Sequence, residues 1–213
     1  GSSVLVLSNS VTLKEGARTG GINIEHAIQS GAQGLVDNHS EPRGELEGGF
    51  TNAIIKGLSS RKSTGDIIKD LGEDITRLTG INEKNYPEVF KQMSDEFRKL
   101  YEDRGVIAVN GQRDAVVENL ARWMTNKTKN TQQKVVIKYS DSNSFVQDTL
   151  CIGETLQQYQ AGKTLDILTE DLKQILDGIT TGQAKKIGLR IAYEPRWAIG
   201  TGVDLPELAN AQC

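Results

Sequence analysis

The sequence predicts an α/β fold with a parallel sheet, and three observations carry the prediction. A strand, a helix and a strand follow one another over residues 4–37. The same succession recurs over residues 149–193, and strand-like and helical segments keep alternating between the two. Strand–helix–strand units of this length close right-handed onto a parallel sheet.

The elements read as follows. Val4 to Ser8 is a short apolar strand, Ile22 to Ser30 a helix stopped at Gly31, and Gln33 to Asp37 a second strand. Ser59 to Gly65 is polar and basic, a loop or linker. Asp66 to Leu78 reads as helix. Pro87 to Tyr101 is a helix whose Val89, Phe90, Met93, Phe97 and Leu100 share one face, with Pro87 suited to its first turn. Val106 to Val109 reads as a strand, Ala115 to Met124 as a helix, Thr125 to Gln133 as a polar loop and Val135 to Tyr139 as a strand. Thr149 to Ile152 is a strand. Leu165, Leu168, Leu172, Ile175, Leu176 and Ile179 recur at helical spacing, and Ile187 to Tyr193 is the last strand.

Composition excludes several function classes. A formal net charge of -3 gives no clustered basic face for nucleic acid. No stretch approaches the roughly 18 apolar residues of a membrane span, and no charged n-region followed by an apolar run suggests a leader. Cys151 and Cys213 lie far apart, without the spacing of a disulfide framework or a zinc site. A reduced, cytoplasmic protein is expected, with no metal.

The chemistry concentrates in residues 191–202, Ile-Ala-Tyr-Glu-Pro-Arg-Trp-Ala-Ile-Gly-Thr-Gly. An apolar strand ends in a carboxylate, Glu194, followed by Pro195, an aromatic hinge at Trp197 and a Gly200-Thr201-Gly202 tip. This arrangement suits a general base at the C-terminal end of a strand, under a loop able to close over it. An ordinary exposed carboxylate is the competing reading for Glu194. Two further segments stand out. Gly16-Ala17-Arg18-Thr19-Gly20-Gly21-Ile22 precedes the strand that ends at His39-Ser40-Glu41-Pro42-Arg43. Cys151-Ile152-Gly153-Glu154-Thr155 is followed by Gln160-Ala161-Gly162-Lys163-Thr164.

Together these segments resemble the triosephosphate isomerase family, over residues 16–43 and 149–202. The resemblance implies a TIM-type (β/α)₈ barrel. Such barrels take about 250 residues, so an incomplete or rearranged barrel is expected, as a single domain over residues 1–213 with 59–147 unmatched. It also implies reversible interconversion of dihydroxyacetone phosphate and glyceraldehyde 3-phosphate through an enediolate. Glu194 is then the base and His39 a neutral, carbonyl-polarising imidazole, a tuning for which that enzyme is itself the standard illustration. Glu41 takes an active-site hydrogen-bonding or ionic position, and Arg43 a structural or interface ion pair. Pro195, Trp197, Ala198, Ile199, Gly200, Thr201 and Gly202 form the lid, with the Gly200 N–H reaching the substrate phosphate. Ser40 and Cys151 are structural neighbours of the site, Cys151 as a buried thiol and not a nucleophile. Glu154 and Thr155 shape their loop.

The resemblance further implies a homodimer, with residues 16–20 in the interface loop, and no cofactor. The departures are Arg18, Gly21, Pro42 and Arg196. The family's Asn-x-Lys strand has one counterpart by spacing alone, Asn82-Glu83-Lys84, which makes Lys84 a candidate electrophile against the reading of a polar loop. Residues 135–142 resemble the family's glycine-rich phosphate turn only faintly. Ser140-Asp141 replaces two glycines, and Asp141 would repel a phosphate. The alternatives are a catalytically inactive barrel-like scaffold or fragment, and another barrel enzyme acting on a phosphorylated metabolite.

Overall fold

The structure is a computed structural model and describes residues 7–9, 11–13, 22–102, 113–142 and 147–198. Its strands are β1 (Leu7–Asn9), β2 (Val11–Thr12), β3 (Ile22–Asn23), β4 (Gly34–Asp37), β5 (Gln147–Ile152) and β6 (Arg190–Tyr193). Its helices are α1 (Ile24–Gln29), α2 (Ser40–Ser59), α3 (Thr64–Thr79), α4 (Pro87–Glu102), α5 (Arg113–Ser142), α6 (Leu156–Gln160), α7 (Thr164–Ile175) and α8 (Thr181–Lys186). A 3₁₀ turn covers Arg196–Ala198.

Four strands form one sheet in the order β1-β4-β5-β6, every pair parallel. Asp37 on β4 lies opposite Leu150 on β5, and Ile152 on β5 opposite Tyr193 on β6. The C-terminal ends of β4, β5 and β6 therefore stand side by side. Among the described residues the sheet is open, with β1 and β6 at its edges, and β2 pairs with β3 as a separate parallel ribbon. The parallel α/β architecture matches expectation.

Strand alternation divides the sheet into two faces. Leu35, Asp37, Asp148, Leu150 and Ile152 point toward the helices. Leu35 joins a core built with α1 to α5, in which Phe50, Ile54, Ile75, Met93, Phe97 and Met124 are fully buried. Leu150 and Ile152 pack with Ile175 and the α7 leucines Leu168 and Leu172. Among the described residues β6 has no such cover, and Ile191 and Tyr193 stay exposed.

Two expectations fail between residues 125 and 139. The loop expected over 125–133 and the strand expected over 135–139 are both part of the single helix α5. Val135, Val136 and Ile137 are buried on that helix, and so short an apolar run has no periodicity that separates a strand from a buried helix turn. The polar stretch is buried too, and apart from the amide oxygens of Gln132 and Gln133 most of its groups find partners. The hydroxyls of Thr125, Thr128 and Thr131 donate to carbonyls one turn back. Asn130 Nδ2 donates to the carbonyls of Ile175 and Asp177, each at 2.8 Å. The likeness of residues 135–142 to a phosphate turn falls with the strand.

Three helices were not anticipated, α2, α6 and α8. In α2, the glycines and Pro42 dilute the pattern. Pro42 nevertheless sits in the first turn, one residue before Arg43 makes the first i→i−4 bond to the His39 carbonyl, so its missing N–H costs nothing there. α8 is set by the capping box of Thr180 and Gln183. The strand expected at Val106 to Val109 lies outside the described residues.

Candidate active site

Three strand ends build the site. β4 ends at Asp37, and Asn38 then takes a left-handed conformation with φ 62°. That region tolerates Asn better than most residues. The turn makes His39 the N-cap of α2 and aims the helix N-terminus across the strand ends. Asn38 Nδ2 donates to the Cys151 carbonyl at 2.8 Å, tying β4 to β5.

β6 delivers Glu194 to the same place. The Glu194 N–H donates to the Ile152 carbonyl at 2.6 Å, extending the ladder past the strand. The approach is so close that a Cβ at Gly153 would overlap the Glu194 carbonyl and crowd Pro195. Only glycine fits there.

The carboxylate of Glu194 faces the start of α2. His39 Nε2 lies 2.9 Å from Glu194 Oε1. The Ser40 backbone N–H donates to Oε2 at 3.1 Å, and the Ser40 hydroxyl donates to Oε1 over a longer 3.4 Å. A helix N-terminus favours an anion at this point. The side chains of His39 and Glu194 are 35% and 17% exposed, so a small molecule can reach both.

Arg43, one turn further along α2, is almost fully buried. Its guanidinium donates to the Glu194 carbonyl at 3.0 Å and to the Cys151 carbonyl at 3.3 Å. Cys151 is buried beside Glu194. Burial, and then the nearby negative charge and hydrogen bonding of Glu194, push its thiol up to about 12, which leaves it without nucleophilic thiolate at neutral pH.

Glu154 organises the hinge side. It is fully buried, and its Oε1 accepts from Tyr193 Oη at 2.9 Å, Trp197 Nε1 at 3.2 Å and Thr164 Oγ1 at 3.3 Å. Burial and the Glu154 carboxylate raise the Tyr193 phenol above its ordinary range. The Trp197 ring stacks on Tyr159 with centroids 4.5 Å apart, and the Ala198 N–H donates to the Pro195 carbonyl at 3.1 Å.

Beneath β4 and β5 lies a charged cluster on the helix side. Lys129 Nζ meets Asp37 Oδ1 at 3.0 Å. Gln133 Nε2 lies 3.3 Å from Asp37 Oδ2 and 2.5 Å from Asp148 Oδ2. Burial, then the charge of Asp37, push Asp148 up to about 7. Among the described residues no group of His, Cys, Asp or Glu could hold a metal ion, and no helix is long and apolar enough to cross a membrane.

The structure thus brings together Glu194, His39, Ser40 and Cys151, with Pro195, Trp197 and Ala198 adjoining. Glu41 is exposed on the first turn of α2. Ile199, Gly200, Thr201 and Gly202 lie outside the described residues. Lys84 is not on a strand. It is exposed in the turn between α3 and α4, where its N–H donates to Asn82 Oδ1 at 3.0 Å and Asn85 closes the same turn onto Asn82. Asn82 is therefore a turn-forming residue whose side chain folds back on local backbone, which accounts for the Asn-x-Lys spacing without a strand.

Sequence reasoning missed the two-carbonyl contact of Arg43, the Asn38 turn and Lys129. For Arg43 a signal was present, since a residue four beyond His39 shares its helix face.

Comparison with known proteins agrees on one family. Residues 121–212 match the family model of triosephosphate isomerase, a stretch that takes in β5, β6 and the residues after it. The triosephosphate isomerase of Malacoplasma penetrans is 40% identical over 81 residues, 38% of this chain and 31% of that protein. That of Mycoplasmopsis pulmonis is 37% identical over 90 residues, 42% of this chain and 32% of that protein. That of Moorella thermoacetica is 49% identical over 53 residues, 25% of this chain and 20% of that protein. The matched part spans less than a third of the length of these curated relatives. Over residues 121–212 this chain is similar to triosephosphate isomerase, the family that its carboxylate strand and lid motif resemble.

Proposed function

We propose that this protein is an aldose–ketose isomerase that interconverts dihydroxyacetone phosphate and glyceraldehyde 3-phosphate. The observation that carries the reading is the facing pair at the strand ends, Glu194 Oε1 and His39 Nε2, 2.9 Å apart. Substrate enters between them. Glu194 leaves the donors of Ser40 and takes the proton from the carbon beside the carbonyl. His39 Nε2–H donates to the carbonyl oxygen as negative charge builds there, giving the enediolate. His39 passes its proton to that oxygen and takes the hydroxyl proton from the neighbouring oxygen, so that when protonated Glu194 returns its proton to the neighbouring carbon the second oxygen becomes the carbonyl. A carbonyl already acidifies the adjacent C–H, so a base and an electrophile suffice and the reaction requires no cofactor.

The same reading includes a single domain built as an incomplete or rearranged (β/α)₈-type barrel, a homodimer and a cytoplasmic setting. The side-by-side order of β4, β5 and β6 supports the barrel. Residues 195–202 act as the lid that excludes water, with Gly200 on the phosphate.

The test is a coupled assay of glyceraldehyde 3-phosphate conversion on the purified chain beside Glu194→Gln. The expected result is turnover that the substitution lowers by about 10²- to 10⁴-fold. A folded wild type without turnover would overturn the reading in favour of a barrel-like scaffold. Turnover unchanged in the variant would remove Glu194 from the mechanism.

A further inference from the structure

We infer that Arg43 is a positioning residue for the carboxylate base, and this inference rests on the isomerase reading of the same site. One turn of α2 holds Glu194 at two points. His39 and Ser40 hold the carboxylate. Arg43 holds the main chain, donating to the Glu194 carbonyl at 3.0 Å.

That carbonyl belongs to the peptide joining Glu194 to Pro195, where strand ends and hinge begins. A proline nitrogen carries no hydrogen, so this peptide has only its carbonyl with which to be held, and Arg43 occupies it. The second donor of the guanidinium reaches the Cys151 carbonyl on β5, which Asn38 also holds from β4. A planar fork fixes two carbonyls in one relative geometry, which a single-point ammonium does less well. The three strand ends are thereby locked together immediately behind the base.

The consequence for catalysis follows from the two attachments. The carboxylate must leave Ser40 to reach substrate, and its travel is defined only if its main chain stays still. His39 and Ser40 set where the side chain rests, and Arg43 sets the pivot. Loss of the pivot displaces the base in the complex with substrate while leaving the substrate's own contacts in place. The loss then falls on kcat and spares KM.

The experiment uses the full chain as wild type, Arg43→Gln and Arg43→Lys. It reads kcat, KM, the thermal midpoint and the indole N–H resonances of the two tryptophans. For Arg43→Gln the expected kcat is about 10- to 100-fold down, as misplacement by about 1 Å can cost 10²-fold, with KM within about twofold. Arg43→Lys, which keeps the cation and a donor, is expected to regain part of the loss. The Trp197 resonance moves in both variants and that of Trp123 stays. A kcat within about twofold of wild type, or kcat and KM lost together in a folded variant, overturns the proposal. If Arg43→Gln does not fold, Arg43→Lys decides by the same split. If wild type itself has no turnover, the isomerase reading fails, and the resonances decide the role of Arg43 alone. A shift confined to Trp197 keeps it as the holder of the hinge, and an unmoved Trp197 or equal shifts in both overturn it.

Discussion

Trp197 donates its indole N–H to Glu154 Oε1 at 3.2 Å, on the oxygen that also receives the Tyr193 hydroxyl. The two donors flank Glu194 in sequence, so one buried carboxylate fixes both approaches to the base. Hydrogen bonds to a charged acceptor contribute about 1.5–3 kcal/mol each. Glu154→Ala, which removes both, is therefore expected to lower stability by about 3–6 kcal/mol and to change Trp197 emission. Chemical denaturation and fluorescence together check it; an unchanged midpoint would mean that water replaces the carboxylate without loss.

His39 is half-exposed and takes no part in the core, so its removal should cost activity and not structure. His39→Gln is expected to lower turnover by about 10²- to 10⁴-fold with the thermal midpoint little changed. Steady-state kinetics beside a melting curve distinguish the two effects, and retained turnover would exclude the imidazole as the electrophile.

Asp148 makes stability depend on pH. Its folded pKa, about 7, lies above the roughly 3.9 of an unfolded aspartate. The folded state thus holds a proton that the unfolded state releases. The Asp148 contribution to stability is full below about pH 4 and is lost as pH rises through about 7, with Asp37, Lys129 and Gln133 as the facing groups. Asp148→Asn should remove this slope and raise stability at pH 8. Urea unfolding of both proteins between pH 4 and 9 measures it, and parallel curves would refute the assignment.

Cys151 should be chemically silent in the folded protein. With the thiol at about 12, only about one in 10⁴ molecules carries thiolate at pH 8. In a Cys213→Ser background, a disulfide reagent should react only after denaturant is added. Rapid labelling of the native protein would contradict the burial.

What was legible in the sequence was local. Glu194 and His39 each sit within a few residues of the strand that presents them, and the twelve residues 191–202 hold strand, base and hinge together. What was not legible depended on distance or on matched polarity. The carbonyls that Arg43 holds are 108 and 151 residues away, so no spacing along the chain announces them. The sequence divides α5 into helix, loop and strand because its polar stretch reads as solvated. Lys84 misled for the converse reason, a familiar spacing produced by an asparagine turn.

The buried polar stretch of α5 has a consequence of its own. Lys129 and Gln133 do for Asp37 what water does for a carboxylate on a surface, but with groups that cannot reorient. α5 is in effect a frozen solvent shell behind the strands that present the base. Its polar residues are then bound to the sheet as a set. An apolar replacement at Lys129 or Gln133 strands a carboxylate, and only a matching change on β4 or β5 would let it persist.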